Sequence, residues 1–140
     1  MDCLFCKIVA GEIPASKIYE DEHILAFLDI SQTTPGHTLI IPKKHYRNIL
    51  DLDPQVAQDL FGQVPALARR LKNAVGAQGI NVLNNSEEAA GQTVFHTHVH
   101  LLPRFETGDG LEIQFQTQEP DFEHLAQLAQ KIRETQEEAS

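Results

Sequence analysis

The order of patterns along the chain predicts an α+β fold. Short β-rich runs follow one another directly near the N-terminus, and one long helical period is inserted in the middle. No regular strand–helix alternation signals a parallel sheet. At 140 residues the chain has the size of one domain, so a single domain over residues 1–140 is expected, with a core large enough to stand without disulfides.

Each element has a local reason. Residues 3–10 read as a short helix ended by Gly11 and the Ile13-Pro14 pair. Between Lys17 and Leu28, two apolar runs flank Glu20-Asp21-Glu22, the pattern of an antiparallel hairpin. Pro35-Gly36 marks a turn before a β-rich run at 37–41, which Pro42 stops. Asp53-Pro54 starts a helix with an acidic cap and a proline in the first turn. From there Ala57, Leu60, Phe61, Val64, Leu67, Ala68, Leu71 and Val75 recur with a 3.6-residue period. Arg69, Arg70 and Lys72 suit the carboxyl end of that helix dipole. Pro65 removes a hydrogen bond inside the pattern and is expected to kink the helix.

Residues 79–83 and 93–102 are the fourth and fifth strand candidates, separated by a polar loop over 84–92. Leu111, Ile113 and Phe115 alternate as a further edge strand. Phe122, Leu125, Leu128, Ala129 and Ile132 outline a closing amphipathic helix before a polar tail. The expected architecture is an antiparallel sheet of about five strands with one long helix and a C-terminal helix.

Composition narrows the function. Hydrophobic residues make up 41% and charged residues 22%, a globular balance. Eleven Lys+Arg against 20 Asp+Glu leave a net charge of −9, which repels nucleic acid and anionic membranes, so any bound phosphate must be held by local groups. There is no basic n-region with an apolar h-region, and no run near the ~20 apolar residues of a membrane span. With two cysteines only three apart, a cytoplasmic location in a reducing compartment is expected. No Gly-x4-Gly-Lys-Ser/Thr loop is present, which disfavours a conventional nucleoside triphosphatase.

The chemistry concentrates in His96, His98 and His100. In a strand these three project from one face, while Phe95, Thr97, Val99 and Leu101 face the helices. A row of imidazoles in register inside an apolar run favours chemistry over a solvent-facing histidine stripe. One zinc cannot collect all three: positions 96 and 100 lie ~13 Å apart along a strand, against Zn–N bonds of ~2.1 Å. That leaves neutral imidazole, with a reference pKa of ~6.5, as nucleophile and hydrogen-bond donor at phosphorus. Cys3-x-x-Cys6 by itself is compatible with a buried inert pair, with metal binding or with redox chemistry, although no strand precedes it as a redox motif requires.

His96-Thr97-His98-Val99-His100-Leu101-Leu102 resembles the His-x-His-x-His-x-x pattern of the histidine triad family of nucleotide hydrolases and transferases. The likeness extends through Gly91 to Phe95, through Gly36 to Lys43 and through Phe27 to Ile30. Cys3 to Ile8 with Gly11-Glu12-Ile13-Pro14 is similar to the start of bacterial Hint-type members. It covers residues 3 to about 105 and leaves 106–140 as a C-terminal extension.

The resemblance implies roles residue by residue. His98 would be the nucleophile that forms a nucleotidyl-histidine intermediate. His100 would contact the phosphate and leaving group, with His37 supporting it. Thr93 would offer its hydroxyl to the scissile bridge, and Gln92 and Asn85 would touch the phosphate. Asp29 would accept the ribose hydroxyls; as a residue alone it reads equally as a turn cap before Ser31. Phe5, Ile8, Ile13, Phe27, Leu28 and Leu39 would line the base slot. Cys3, Cys6, His45 and His96 would hold a structural zinc, and the chemistry would need no magnesium. A homodimer with joined sheets is also implied.

The implied activity is hydrolysis at the α-phosphate of purine nucleoside phosphoramidates or related AMP conjugates. Hydrolysis of dinucleoside polyphosphates is the enzymatic alternative, and a nucleotide-binding adaptor the alternative of another class. The chain lacks the tryptophan-bearing terminus of short-tailed members and carries a longer acidic tail instead.

Overall fold

Alternation along one buried strand explains the layering in the computed structural model, which describes residues 2–106 and 108–137. In β2 (Ile24–Leu28) the even positions Ile24 and Ala26 pack with Ile40, Val99 and Leu101 beneath Leu60, Leu67 and Leu71. The odd positions Leu25 and Phe27 pack with Leu39 and Ile41 against Phe5 and Ile8 on the other face. A sheet covered on both faces accounts for the unbroken apolar sequence of its central strands. Met1, Thr107 and residues 138–140, which include the ends of the expected 1–140 span, lie outside the described residues.

The sheet has five strands in the order β1-β2-β3-β5-β4, with every neighbouring pair antiparallel. These are β1 (Lys17–Glu20), β2, β3 (Thr38–Pro42), β4 (Gly79–Leu83) and β5 (Val99–Arg104). Helix α1 (Leu4–Val9) covers one face, and α2 (Pro54–Gly62) with α3 (Val64–Val75) the other. Asp53 caps α2 by accepting the Gln55 amide.

The long helix expected from the 54–75 period is two helices. The chain breaks at Gln63, so that Pro65 falls in the first turn of α3, where its missing N–H costs nothing. Gly76 closes α3 in the left-handed conformation. Gly36, at φ +91°, lets the turn before β3 lie against α3, with no room for a β-carbon beside Val75 and Leu71.

The fifth strand also differs from expectation. Residues 93–98 do not pair in the sheet, because the Thr97 amide and hydroxyl both donate to the Tyr46 carbonyl, at 2.8 and 3.1 Å. They tie the segment to the loop after β3 until β5 begins at Val99. No strand forms over 111–115. The C-terminal helix α4 (Phe122–Glu134) does form, capped by Asp121, with its apolar positions Phe122, Leu125, Leu128 and Ile132 exposed. Among the described residues no helix is long and apolar enough to cross a membrane.

Candidate active site and an adjoining Cys/His cluster

The α1 face of the sheet carries the imidazoles. His98 is the last residue but one before His100 and sits at the mouth of β5, 7% exposed. Its Nδ1–H donates to the His96 carbonyl at 2.7 Å, which leaves the lone pair on Nε2. Asn84 fixes the same residue from behind by donating to its carbonyl at 2.9 Å. The Phe5 ring packs edge-on against it, 5.2 Å between centroids. Burial pushes the His98 pKa below the ordinary value, against the His96 carbonyl and the Asp29 carboxylate, so the ring is neutral at pH 7.

His100 lies next in line, 5.0 Å from His98 between ring centroids. Its Nδ1 is 2.9 Å from His37 Nε2, and the Thr33 amide donates to His37 Nδ1 at 3.3 Å. In the neutral tautomer that satisfies this amide the His37 proton sits on Nε2, while the Ser31 carbonyl, which bonds a protonated His37 ring, pulls the other way. His37 then donates to His100 Nδ1, and His100 carries its own N–H on Nε2 as a free donor. Burial, followed by the proximity of His98 and His37, lowers the His100 pKa to about 4. Burial also lowers that of His37, opposed by the Asp29 carboxylate 3.7 Å from its Nε2. Asp29 serves as the turn cap as well, accepting the Ser31 amide on Oδ1 at 2.7 Å.

The expected base slot divides. Phe5, Ile8, Phe27 and Leu39 are buried in one cluster on the histidine face, with Ile13 packed against it. Leu28 has, in β2, the parity of Ile24 and Ala26, so the period of two turns it away from Phe27. Gln92 is buried and bonded within the protein. Its amide oxygen accepts from Glu87 N–H and Asn48 Nδ2, and its nitrogen donates to the Arg47 and Val94 carbonyls. A side chain with all four positions engaged has nothing left for a phosphate. Asn85 is half-buried beside Gly91. Thr93 is exposed and borders a cavity of about 430 Å³ with Cys3, His45, Val94 and Phe95.

Several supporting residues escaped the sequence reading. Asn84 holds His98, and buried Asn48 bridges Glu87 and Gln92. Gln32 staples the loop between β2 and β3, donating to the Asp29 and His37 carbonyls and accepting the Gly36 amide. Arg47 grips Glu87 through two bonds of 2.9 Å, which with Asn48 holds that carboxyl at about 2. Their one visible signal is a density of Asn and Gln in loops that flank apolar runs.

Beside the triad, Cys3, Cys6, His45 and His96 present four ligand atoms to a common centre. His45 and His96 Nδ1 are 3.2 Å apart, and the sulfur–nitrogen separations are 3.3 to 3.5 Å. A zinc tetrahedron with ordinary bond lengths requires about 3.4 Å between nitrogens and about 3.6 Å between nitrogen and sulfur. His96 is oriented for this role, because its Nε2–H donates to the Pro42 carbonyl at 2.8 Å and leaves Nδ1 for the cluster. Burial, with Cys3 alongside, pushes the Cys6 thiol up to about 11, a preference that a bound cation reverses. The donor set therefore fits zinc.

Comparison with known proteins identifies the family. The chain is 49% identical over 133 residues to Protein hit of Bacillus subtilis, covering 94% of this chain and 92% of that one. It is 38% identical over 130 residues to the adenosine 5'-monophosphoramidase HNT1 of Saccharomyces cerevisiae, covering 93% and 80%. A crystal structure of SMU.412c from Streptococcus mutans superimposes with a TM-score of 0.91 at 60% identity, covering 94% of this chain and 83% of that one. The HIT domain family model matches residues 10–107, which include all five strands and the three histidines His96, His98 and His100. The chain belongs to the HIT domain family.

Proposed function

We propose that the chain is a nucleotide hydrolase acting at the α-phosphate through a nucleotidyl-histidine intermediate, with purine nucleoside phosphoramidates and related AMP conjugates as substrates. The observation that carries this reading is the His98–His96 bond, which leaves a neutral, lone-pair-bearing Nε2 next to the His100 donor. The name of the yeast relative, a 5'-monophosphoramidase, supports the substrate class.

In the first displacement His98 Nε2 attacks phosphorus, and the bond from phosphorus to the leaving amine breaks. His100 Nε2–H bonds a phosphoryl oxygen and offsets the developing charge. Thr93 lends its hydroxyl to the bridging nitrogen, which takes a proton from solvent as the amine leaves. Water then attacks phosphorus and returns a proton to solvent, the phosphorus–His98 bond breaks, and AMP is released with the ring neutral again. Asp29 accepts the ribose hydroxyls, Asn85 touches the phosphate, and Phe5, Ile8, Ile13, Phe27 and Leu39 enclose the base. No magnesium is required, since the charge is met by fixed donors.

Cys3, Cys6, His45 and His96 would hold a zinc ion, which supplies a cross-link between α1 and the catalytic segment. Four protein ligands leave it no open position for chemistry. The catalytic unit is the domain at 3–105 with 106–140 as an extension, acting as a homodimer in the cytoplasm; two free thiols suit a reducing compartment.

Rapid acid quench with adenosine phosphoramidate, read by intact mass, tests the proposal. A nucleotidyl adduct is expected in the wild type and none in His98→Ala, which keeps nucleotide affinity. Relative kcat/KM on a dinucleoside polyphosphate separates the enzymatic alternative. Binding without turnover on either substrate overturns the hydrolase and marks an adaptor.

A further inference from the structure

We infer that the hook after β5, built by Arg104, Asp109 and Gly110, positions the His37–His100 pair from outside the site. Asp109 is 7% exposed in its side chain although it lies in an otherwise polar, exposed stretch. Its carboxylate accepts Arg104 Nε at 2.7 Å and the Phe105 and Leu111 amides at 3.0 and 3.3 Å. Arg104 also donates to the Leu111 carbonyl at 2.8 Å and to Asn81 Oδ1 on β4 at 2.7 Å. The hook is thus anchored to two strands, one of which carries His100 four residues upstream.

The other side of the hook meets the loop between β2 and β3. Gly110 adopts φ +81°, and a β-carbon there would fall inside the van der Waals envelope of the Thr33 carbonyl oxygen. Thr33 is the residue whose amide donates to His37 Nδ1. A push at Thr33 acts on a braced loop. Gln32 ties its two ends together, at Asp29 and His37, and the Asp29 amide bonds the His37 carbonyl at 3.0 Å. A shift at Gly110 therefore reaches His37 and, through the 2.9 Å bond, the ring of His100. Gly110 touches no reacting group; it is a positioning residue. Its effect on rate rests on the reading of His100 given above, whereas its effect on the ring pair does not.

The chain supplies its own control. Gly108 lies in the same hook at φ +67°, with nothing within 4 Å of a β-carbon. Gly108→Ala and Gly110→Ala both place alanine in the left-handed region, yet only the second presses on Thr33. The experiment compares the two by ¹⁵N NMR of the histidine rings and by kcat and KM on adenosine phosphoramidate. Gly110→Ala should change the His37 and His100 ring-nitrogen shifts and lower kcat about 10- to 100-fold with nucleotide affinity kept. Gly108→Ala should match the wild type in both.

Equal ring shifts in the two variants, or an effect of Gly110→Ala confined to thermal stability, overturn the inference. If Gly110→Ala does not fold, Asp109→Asn loosens the hook without adding bulk. It should move the same ring signals in the same order, and unchanged signals in that folded variant also overturn the inference. A wild type with no turnover sinks the hydrolase reading, while the ring signals still decide this one.

Discussion

Acidification should destabilise the fold through the buried neutral imidazoles, and His100 gives the size of the effect. Its pKa falls from 6.5 in the unfolded chain to about 4 in the fold, chiefly by burial. Between those values the unfolded chain binds the extra proton and the folded one does not, so stability rises with pH. The contribution is complete above 6.5 and is lost as pH falls toward 4. At about pH 5 the gap is roughly 1.5 units, or about 2 kcal/mol from this one ring. His37 and His98 shift in the same direction and add to the loss. The depressed carboxyls of Glu87 and Asp109, both at about 2, lose stability in the same direction, but mainly below the unfolded carboxyl range and equally in both proteins compared. Urea unfolding of the wild type and of His100→Asn, at pH 7 and at about pH 5, measures the difference. The variant keeps a polar atom near the Nδ1 position, and its pH-dependent loss should be smaller by about 2 kcal/mol. Equal losses in the two proteins, or a wild type that gains stability on acidification, would refute the reasoning.

Three further outcomes can be checked directly. Stripping metal with a strong chelator, or Cys6→Ser, should lower Tm and speed amide exchange in α1, because the four-ligand cluster joins that helix to the catalytic segment; unchanged exchange after verified metal loss contradicts the zinc assignment. Gly36→Ala should cost about 2–3 kcal/mol by chemical denaturation, since φ is +91° and the methyl meets Val75 at 3.0 Å. Gln92→Leu leaves the Glu87 amide, Asn48 and the Arg47 and Val94 carbonyls short of a partner. About 2–4 kcal/mol should be lost, and a cost near zero would mean water replaces the amide.

The strands up to β4 were legible because apolar runs and turn residues are local signals, and the shared face of His98 and His100 follows from the period of two alone. What the sequence hid were long-range partners. Residues 93–98 alternate like a strand, but Thr97 is taken by Tyr46, 51 positions away. Leu111 to Phe115 alternate too, yet Asp109 and Arg104 consume the amide and carbonyl of Leu111 before any ladder can use them. Pro65 signalled disruption correctly, although propensity cannot tell a kink from a boundary; the structure chose the boundary. Leu28 was grouped with Phe27 by resemblance, whereas the pleat gives the two residues opposite faces. The Cys/His cluster was readable through resemblance only, since nothing local links Cys3 to a histidine 93 residues later.

His96 answers to two neighbourhoods at once. Its ring belongs to the cysteine cluster, and its backbone oxygen holds the proton that decides which nitrogen of His98 is free. A side-chain replacement at 96 therefore disturbs an anchor and, through the peptide that carries it, the aim of a different residue. Inactivity in such a variant would say nothing about whether the His96 imidazole takes part in bond making. Only a readout of the His98 tautomer itself can divide those two causes.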